Sequence, residues 1–427
     1  MNEQRPDDRS IGKTAPNWHG ALILLVAPSF LTGCGAGTPE GPRVVQRDSA
    51  GIVIVENSAE MAVDAGGWGV DPEPFLSIGT LDGNDATALH LVDGAHRTPD
   101  GGVAIVNGGS LQLRVFDASG AYLRSFGREG DGPEEFRDMR YAGVVGQDTV
   151  VVTDVTRRRL ALIHPQEGIL SAVPLREEAS RFPVPSGVFA DGRVVFGREG
   201  VRVEWTEDFE EGPARFNTEW RTGDLQGRFA GSLGFKPGTE LVLTTMEYDG
   251  ELRVRRSRWP LAKQPMSAVA SNRFYFGSQD AFEIEAVGPD GSLRRLIRVT
   301  EDPHPVTMEA WDLWVEDTIQ SMARDEEHER RLRGVYEEAE QYMPSFFPAH
   351  GLLKTDALDH LWVEEYPLPG KEADVWSVFD SEGVRLARVT LPLTMAILEI
   401  GRDYLMGLVR DEYDVEYVQL FRLRRGE

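Results

Sequence analysis

The most distinctive reactive group in this sequence of 427 residues is the thiol of its single cysteine, Cys34. A lone cysteine cannot form an internal disulfide, and it cannot contribute to a zinc site made of several cysteines. Leu31, Thr32 and Gly33 precede it, and the small residues among them would let a peptidase approach the backbone. We therefore predict that Cys34 lies beside a cleavage site and that its thiol is an acyl acceptor.

The segment ahead of Cys34 has the composition of an export signal. Residues 21–31 read ALILLVAPSFL, a run too short for a membrane span of about 20 residues but of the length found in signal peptides. The tetrad at 31–34 resembles the lipobox of bacterial lipoproteins. This resemblance implies a signal peptide over residues 1–33 and a lipid anchor at Cys34. A flexible tether rich in glycine and proline follows over residues 34–42.

By the same resemblance, Gly35 in place of aspartate implies the outer membrane, with the protein facing the periplasm or the exterior. The lipid bilayer is then one partner of the chain. Residues 1–20 depart from the pattern because they carry acidic side chains, whereas a signal peptide normally starts short and positive. A long leader or a misassigned start would explain this, and a buried apolar helix with an incidental cysteine is the alternative.

The charge balance argues against nucleic acid as a partner. The chain has 70 Asp and Glu against 45 Lys and Arg, which gives a formal net charge of −25. Such a surface repels phosphate backbones and supports solubility.

Two charged loops and one histidine are the candidates for contact with a ligand. Arg128, Glu129 and Asp131 lie on a glycine-rich loop, and the run Arg157, Arg158, Arg159 on a hairpin could meet an anion. Solvated turns are the alternative for both. His350, like His360, precedes a strand and could face a central channel. The sequence contains neither a His-Glu-x-x-His motif nor a Gly-x-Ser-x-Gly motif, and we predict no metal site or cofactor from motifs.

Short apolar segments recur along the chain and predict the elements that carry these loops. Six of them begin at residues 103, 150, 194, 274, 361 and 404, and several are followed by Asp-x-x-Gly hairpin turns. Three of the gaps are 47, 44 and 43 residues, close to the period of about 40–50 residues in propeller blades. We predict an all-β fold over residues 43–427, a six-bladed β-propeller of four-stranded antiparallel blades. Seven blades are the alternative, since the gap of 80 residues could hold another blade near residues 240–245.

Two segments lie outside this repeat. Strand-like runs in residues 43–79 predict an N-terminal strand that completes the last blade and removes exposed sheet edges. Residues 307–343 show helical spacing, with Thr307 as N-cap and Pro344 as stop, which predicts an inserted helical segment. Its apolar stripe favours packing on the propeller, and a lid over one face is the alternative.

One junction between the repeats resembles the NHL-like and TolB-like six-bladed propellers. The phrase that carries the resemblance is RVFDASG at 114–120 followed by FGREGDGPEEF at 126–136, and Asp154 matches an aspartate that often ends the second strand in that family. The pattern also resembles six-bladed propeller lipoproteins of Gram-negative bacteria.

Two functional classes remain open from the sequence. The first is a binding or scaffold lipoprotein that holds a protein, a peptide or a glycan. The second is a metal-dependent hydrolase or lyase like the lactonase-type propellers. In those enzymes a divalent cation such as calcium is held in the central channel by convergent oxygen or imidazole ligands.

Overall fold

Strands dominate the part of the chain that the computed structural model describes, which comprises residues 44–64, 67–81, 86–176, 183–198, 206, 208–371, 373–392 and 395–426. Four short strands precede the repeating pattern and join sheets that form later in the chain. They are β1 (Val44–Ser49), β2 (Ile52–Ser58), β3 (Gly69–Val70) and β4 (Leu76–Ile78).

Six sheets follow one another along the chain, and each is one blade. Blade 1 consists of β5 (Val92–Arg97), β6 (Val103–Asn107), β7 (Gln112–Phe116) and β8 (Tyr122–Phe126). Blade 2 consists of β9 (Met139–Val145), β10 (Thr149–Asp154), β11 (Arg159–His164) and β12 (Gly168–Pro174). Blade 3 consists of β13 (Pro183–Val188), β14 (Val194–Arg198), β15 (Gly212–Gly223), β16 (Phe229–Tyr248) and β17 (Glu251–Ser257).

The second half of the ring repeats this order. Blade 4 contains β18 (Met266–Val269), β19 (Phe274–Gly277), β20 (Glu283–Val287) and β21 (Leu293–Thr300). Blade 5 contains β22 (Leu353–Thr355), β23 (Leu361–Glu364), β24 (Asp374–Phe379) and β25 (Arg385–Leu391). Blade 6 contains β26 (Met395–Ile400), β27 (Tyr404–Arg410) and β28 (Glu416–Arg424). The described residues therefore form six blades, and the alternative of seven is wrong.

The long gap that suggested a seventh blade is filled by long outer strands of blade 3. Residues 240–245 belong to β16, a strand of 20 residues. It pairs with β15 on one side and β17 on the other, so blade 3 has five strands instead of four.

The N-terminal strands close the ring and cover an edge. As predicted, β4 completes blade 6, where it pairs antiparallel with β28 and places Ile78 opposite Val418. Unexpectedly, β2 runs parallel to β21, with Val53 opposite Arg295, and β1 lies outside it. These two strands extend blade 4 to six strands and cover an edge that would otherwise be unpaired.

One apolar cluster fills each of the six contacts between neighbouring blades, including the contact between blade 6 and blade 1. The six sequence segments that revealed the repeat are the second strands of the blades. In β6, Val103 and Ile105 face blade 6, whereas Ala104 and Val106 face blade 2. These strands are apolar on both faces because both faces are buried between blades.

The first strands of the blades line the centre of the ring. Strand β5 contacts β9 and β26, β13 contacts β9 and β18, and β18 contacts β22. Several of these inner strands contain a bulge that leaves one residue unpaired, such as Asp93 in β5 and Ser186 in β13. A bulge redirects its side chain relative to the ladder, so the wall of the channel is irregular.

The inserted segment forms a helical hairpin on one end of the propeller, as predicted. Helix α1 (Met308–Met322) begins at Thr307, whose hydroxyl accepts the N–H of Ala310, and α2 (Glu326–Ala339) follows. Trp311 of α1 packs with Leu261, Val306 and Phe347, on loops between blades. We call this end of the ring the insertion face and the opposite end, with the Asp-x-x-Gly turns, the turn face. Within the described ranges, no helix has the length and apolar character needed to cross a membrane.

Candidate functional site

The charged side chains of the glycine-rich junction loop, which follows blade 1, form hydrogen bonds and ion pairs within residues 128–137. The Glu135 carboxylate accepts the N–H of Gly132 at 2.7 Å and pairs with Arg128 at 2.8 Å. Glu129 and Asp131 both pair with Arg137, at 3.1 and 2.9 Å. These contacts hold the loop in shape.

The arginine run on the neighbouring hairpin contributes to the same loop. Arg157 pairs with Asp131, and Arg159 donates to the Gly132 carbonyl at 3.2 Å while lying 4.9 Å from the centre of the Phe136 ring. Arg158 occupies a left-handed turn position, with φ of 52°. The structure thus brings the two predicted loops together as one ion-paired assembly, and ligand binding by it stays a prediction.

The hydrogen bonds of Asp154 account for the aspartate at this junction. Its carboxylate is fully buried at the end of β10, where it accepts the N–H groups of Arg137 and Arg157, both at 3.0 Å. It therefore joins the junction loop to the hairpin that carries the arginine run. Its role is structural.

His350 does not line the channel, because it is fully buried at the contact between blades 4 and 5. Its Nδ1 donates to the Gly351 carbonyl at 2.9 Å, and its ring lies so close to Gly277 that a Cβ there would meet it at 2.4 Å. Burial lowers the pKa of His350 to about 4, although the Gly351 carbonyl opposes this shift. The ring is neutral at physiological pH and has no contact with solvent.

His360, the other predicted histidine, belongs to a buried network at the turn face. The Asp356 carboxylate accepts hydrogen bonds from Trp362 Nε1 at 3.0 Å and from Arg425 at 2.7 Å, and it lies 3.0 Å from His360 Nδ1. Burial alone would raise the pKa of Asp356, but these donors outweigh it and lower the pKa from 3.8 to about 2. The network joins blade 5 to the C-terminal strand.

The central channel holds titratable side chains that the sequence analysis did not single out. At its turn-face end, His96 of β5 lies 2.6 Å from Glu399 of β26 through Nδ1 and 3.0 Å from the Gln147 carbonyl through Nε2. A carboxylate and a carbonyl both accept, so both ring nitrogens must donate, and the ring is an imidazolium. Burial lowers its pKa, but the bonds to Glu399 and Gln147 outweigh burial and raise it above 6.5. Tyr404 also donates to Glu399.

Asp93 and Tyr141 lie further along the same wall. The Asp93 carboxylate accepts the backbone N–H of Tyr141 at 2.5 Å and a hydrogen bond from Arg140 at 3.3 Å. Burial raises the pKa of Asp93 above 3.8, against the lowering effect of these donors. The Tyr141 ring lies against Gly94, where a Cβ would be 2.4 Å from it, so only glycine leaves room for this ring.

Tyr141 keeps its proton over the physiological range. Burial raises the pKa of its phenol, and the negative charge of Glu399 on blade 6 raises it further. The phenol therefore stays protonated and is able to donate a hydrogen bond.

Lys354 approaches the channel from the other side of the ring. It is the middle residue of β22, the three-residue inner strand of blade 5. Burial lowers the pKa of its amine, and the Asp93 carboxylate on blade 1 opposes this only in part. Between blades 3 and 4, the wall is closed by a hydrogen bond of 2.5 Å between the hydroxyls of Ser186 and Ser267.

The channel does not contain a recognisable metal centre in the part of the chain that the structure describes. Among these residues, no group of three or more His, Cys, Asp or Glu side chains has a geometry that could hold a metal ion.

Comparison with known proteins gives similarities of structure and none of sequence. No family model matches the chain, and no curated protein matches it. A putative exported protein from Bacteroides fragilis has 13% identity and a TM-score of 0.45, over 87% of this chain and all of that one. A member of the DUF4221 family from Bacteroides vulgatus has 9% identity and a TM-score of 0.48, over 84% of this chain and 98% of that one. A streptogramin B lyase has 11% identity and a TM-score of 0.37, with 84% and 98% covered.

The sequence gives no pattern that indicates the channel residues, because the inner strands are not regularly apolar. Strand β22 has three residues, and β5 reads VDGAHR, which resembles a loop. One usable signal exists in the composition. Only five of the 45 basic residues are lysines, so Lys354, which lies between two segments that contain leucine, is unusual in this chain. Cys34, Leu31, Thr32 and Gly33 lie outside the described residues, and their predicted roles stay predictions.

Proposed function

We propose that this β-propeller is a cell-envelope lipoprotein, anchored through Cys34 in the outer membrane, and that it is a binding module whose ligand enters the central channel. The ligand is a peptide, a glycan or a segment of another protein. The tetrad at 31–34 and the apolar run before it support the anchor.

One observation carries the assignment of binding to the channel. Titratable side chains of blades 1, 2, 5 and 6 lie on the inner strands, where burial shifts the pKa of Asp93 up and that of Lys354 down. Groups whose pKa is displaced by burial inside a cleft are characteristic of functional sites. On the junction loop, by contrast, the charged side chains are occupied by one another.

The anchor is tested by metabolic labelling with a palmitate analogue, in cells that express the wild type or Cys34→Ala. We expect label on the wild-type protein only, and loss of membrane association in the variant. Cys34→Ser, which keeps the size of the side chain but not the thiol, is the matched control and should also lack label. Equal labelling of wild type and Cys34→Ala would refute the anchor.

The channel is tested with a single reporter thiol, because Cys34 is the only native cysteine. In a full-length Cys34→Ala background, Ser267→Cys places a thiol on the inner strand of blade 4, and Ser119→Cys places one on an exposed turn as a control. The probes are soluble peptidoglycan fragments and a tryptic digest of envelope proteins. A probe present at ten times its dissociation constant should slow maleimide labelling of Ser267→Cys about tenfold and leave Ser119→Cys unchanged.

Labelling that neither probe slows at Ser267→Cys, or that each probe slows equally at both positions, would refute binding in the channel. This result would not affect the proposed anchor, because the test of the anchor does not involve the channel.

A further inference from the structure

Lys354 lies on the inner strand of blade 5, and its side chain is partly exposed and turned away from blade 4. Its neighbours Leu353 and Thr355 face blade 4, since Leu353 joins the cluster shared with that blade and Thr355 donates to the Val269 carbonyl at 2.8 Å. Alternation along a strand places Lys354 on the other side, where it lies opposite Trp362 in the ladder. The charge that acts on its amine is that of Asp93, two blades further around the ring. Asp93 also lies on an inner strand, that of blade 1.

The amine of Lys354 has no hydrogen bond or ion pair with any residue that the structure describes. The other lysines of the propeller are accounted for: Lys236 pairs with Glu285, Lys263 pairs with Asp280 at 2.9 Å, and Lys371 lies on an exposed loop. Asp93 does not neutralise Lys354, because its oxygens already accept from Tyr141 N–H and Arg140 and no ion pair with Lys354 forms.

A charge in this position is costly unless it is paired. A buried ammonium either loses its proton or acquires an anionic partner, because its hydration is only partly replaced. Arginine would stay charged under the same conditions, whereas lysine can adjust its protonation to the occupant of the site. The free amine is therefore a position where an anionic ligand gains a partner.

We propose that Lys354 binds the carboxylate of a small, singly charged ligand in the central channel, with the Tyr141 hydroxyl as a second donor. This inference rests on the proposed function for the place of binding, and it adds the chemistry of the ligand. Tyr141 fits the role because its ring is held over Gly94, and its hydroxyl has no hydrogen-bond partner in the described ranges.

The other charges along the channel favour one negative charge over two. His96 is already paired with Glu399, and Arg140 is shared between Asp93 and Asp138. Lys354 is thus the only cation among these groups that lacks a partner. Asp93 and Glu399 would repel a phosphate dianion more strongly than a carboxylate.

The proposal is tested by reductive ¹³C-methylation of the full-length chain, because each lysine then gives its own dimethylamine NMR signal. Lys354→Met and Lys371→Met, both close in length to lysine, assign the signals and provide a matched pair of variants. We expect the Lys354 signal to titrate at a lower pH than an ordinary lysine amine does, because burial lowers its pKa.

The probes are acetate and benzoate, with acetamide, benzamide, chloride and inorganic phosphate as controls at the same ionic strength. The carboxylates should move the Lys354 signal in a saturable way and raise its titration midpoint, while the Lys371 signal stays in place. A tenfold rise in proton affinity corresponds to about one pH unit. Tyr141→Phe should weaken acetate binding severalfold without changing the midpoint in the absence of acetate.

Four outcomes would overturn the proposal: a Lys354 that titrates as an ordinary lysine amine does, a Lys354 that formaldehyde cannot reach, a shift that chloride produces equally, or a preference for phosphate. Protection of Ser267→Cys without any carboxylate effect on Lys354 would leave the channel as a binding site and refute only the ligand chemistry. A carboxylate effect without protection by either larger probe would support the small ligand and refute the larger ones.

Discussion

At the scale of single residues, the two histidines predicted to face the channel and the one that does so differ in what surrounds each ring. His350 is enclosed by apolar groups and backbone, so burial keeps it neutral. His360 lies against the Asp356 network at the turn face. His96 meets two acceptors and carries a charge. Environment, and not residue type, decides the protonation state.

Lys354→Met should stabilise the protein. The substitution keeps the side-chain length but removes an ammonium that burial disfavours, and the expected gain is on the order of 1–2 kcal/mol. Lys371→Met, on an exposed loop, should change the free energy of unfolding by less than about 0.5 kcal/mol. Urea denaturation of the two variants beside the wild type measures both values. Destabilisation of Lys354→Met by as much as a core truncation would contradict this account of an unpaired amine.

Asp356→Asn should destabilise the protein and flatten its response to acid. The folded-state pKa of about 2 lies below the ordinary value of 3.8, so ionised Asp356 contributes stability that is present above pH 4 and is lost as pH falls towards 2. The variant also leaves Arg425 without its buried partner, a loss of about 3 kcal/mol at neutral pH.

Thermal unfolding between pH 2 and pH 7 measures this effect. Asp403→Asn is the control, because its exposed carboxylate lies 4.0 Å from Arg97 and should contribute little. Curves for wild type and Asp356→Asn that stay parallel between pH 4 and pH 2 would show that Asp356 does not titrate with a lowered pKa.

At the scale of elements, the sequence reveals strands according to how many of their faces are buried. In β10, Val150 and Val152 face blade 1 while Val151 faces blade 3, so the strand is a continuous apolar run that a sequence search detects. Inner strands have one side on the channel, where Asp93 or Lys354 fits as well as valine would. The fold was therefore predictable from the second strands. The channel site depends on how the closed ring arranges β5, β9, β22 and β26, which belong to four different sheets.

His96 joins the inner strand of blade 1 to that of blade 6 and to the turn between β9 and β10 of blade 2. Its ionisation predicts a pH dependence with the opposite sign to that of Asp356. The pKa of His96 is raised, so its contribution is full below pH 6.5 and is lost as pH rises through the folded-state pKa. His96→Gln should remove this dependence. The difference in unfolding temperature between wild type and variant should shrink from pH 6 towards pH 9.

Hydrogen exchange locates the effect of His96. Amides of β5 and β26 should exchange faster in the wild type as pH rises, beyond the intrinsic dependence of exchange on pH, and His96→Gln should not show this extra change. His90→Gln, an equivalent change on the loop that precedes β5, is the control and should behave as the wild type. A difference between wild type and His96→Gln that is constant from pH 6 to pH 9 would rule out titration of this ring.

At the scale of the whole molecule, closure of the ring joins β4, which precedes the first blade in the sequence, to β28 of the last blade. A ring of six blades has six interblade clusters, and β4 adds Ile78 to the cluster between blades 6 and 1 by pairing with β28. The sequence suggested this closure because the last marker is followed by one strand instead of two. It could not indicate that β2 would extend blade 4, since that parallel pairing depends on a neighbour about 240 residues away, with Val53 opposite Arg295.

Closure also predicts where a small truncation has its largest effect. Ile78 of β4 is 2% exposed and packs in the cluster between blades 6 and 1, so Ile78→Ala should cost about 2–4 kcal/mol. Ser77→Ala, at the neighbouring exposed position of the same strand, keeps the backbone pairing and should cost little.

Because a closed ring has no free end, loosening the contact at Ile78 frees β28 on one side and β5 on the other. Hydrogen exchange in Ile78→Ala should therefore rise in both strands together, while β10 of blade 2 keeps the protection it has in Ser77→Ala. An unfolding midpoint for Ile78→Ala equal to that of Ser77→Ala would mean that β4 does not hold the ring closed.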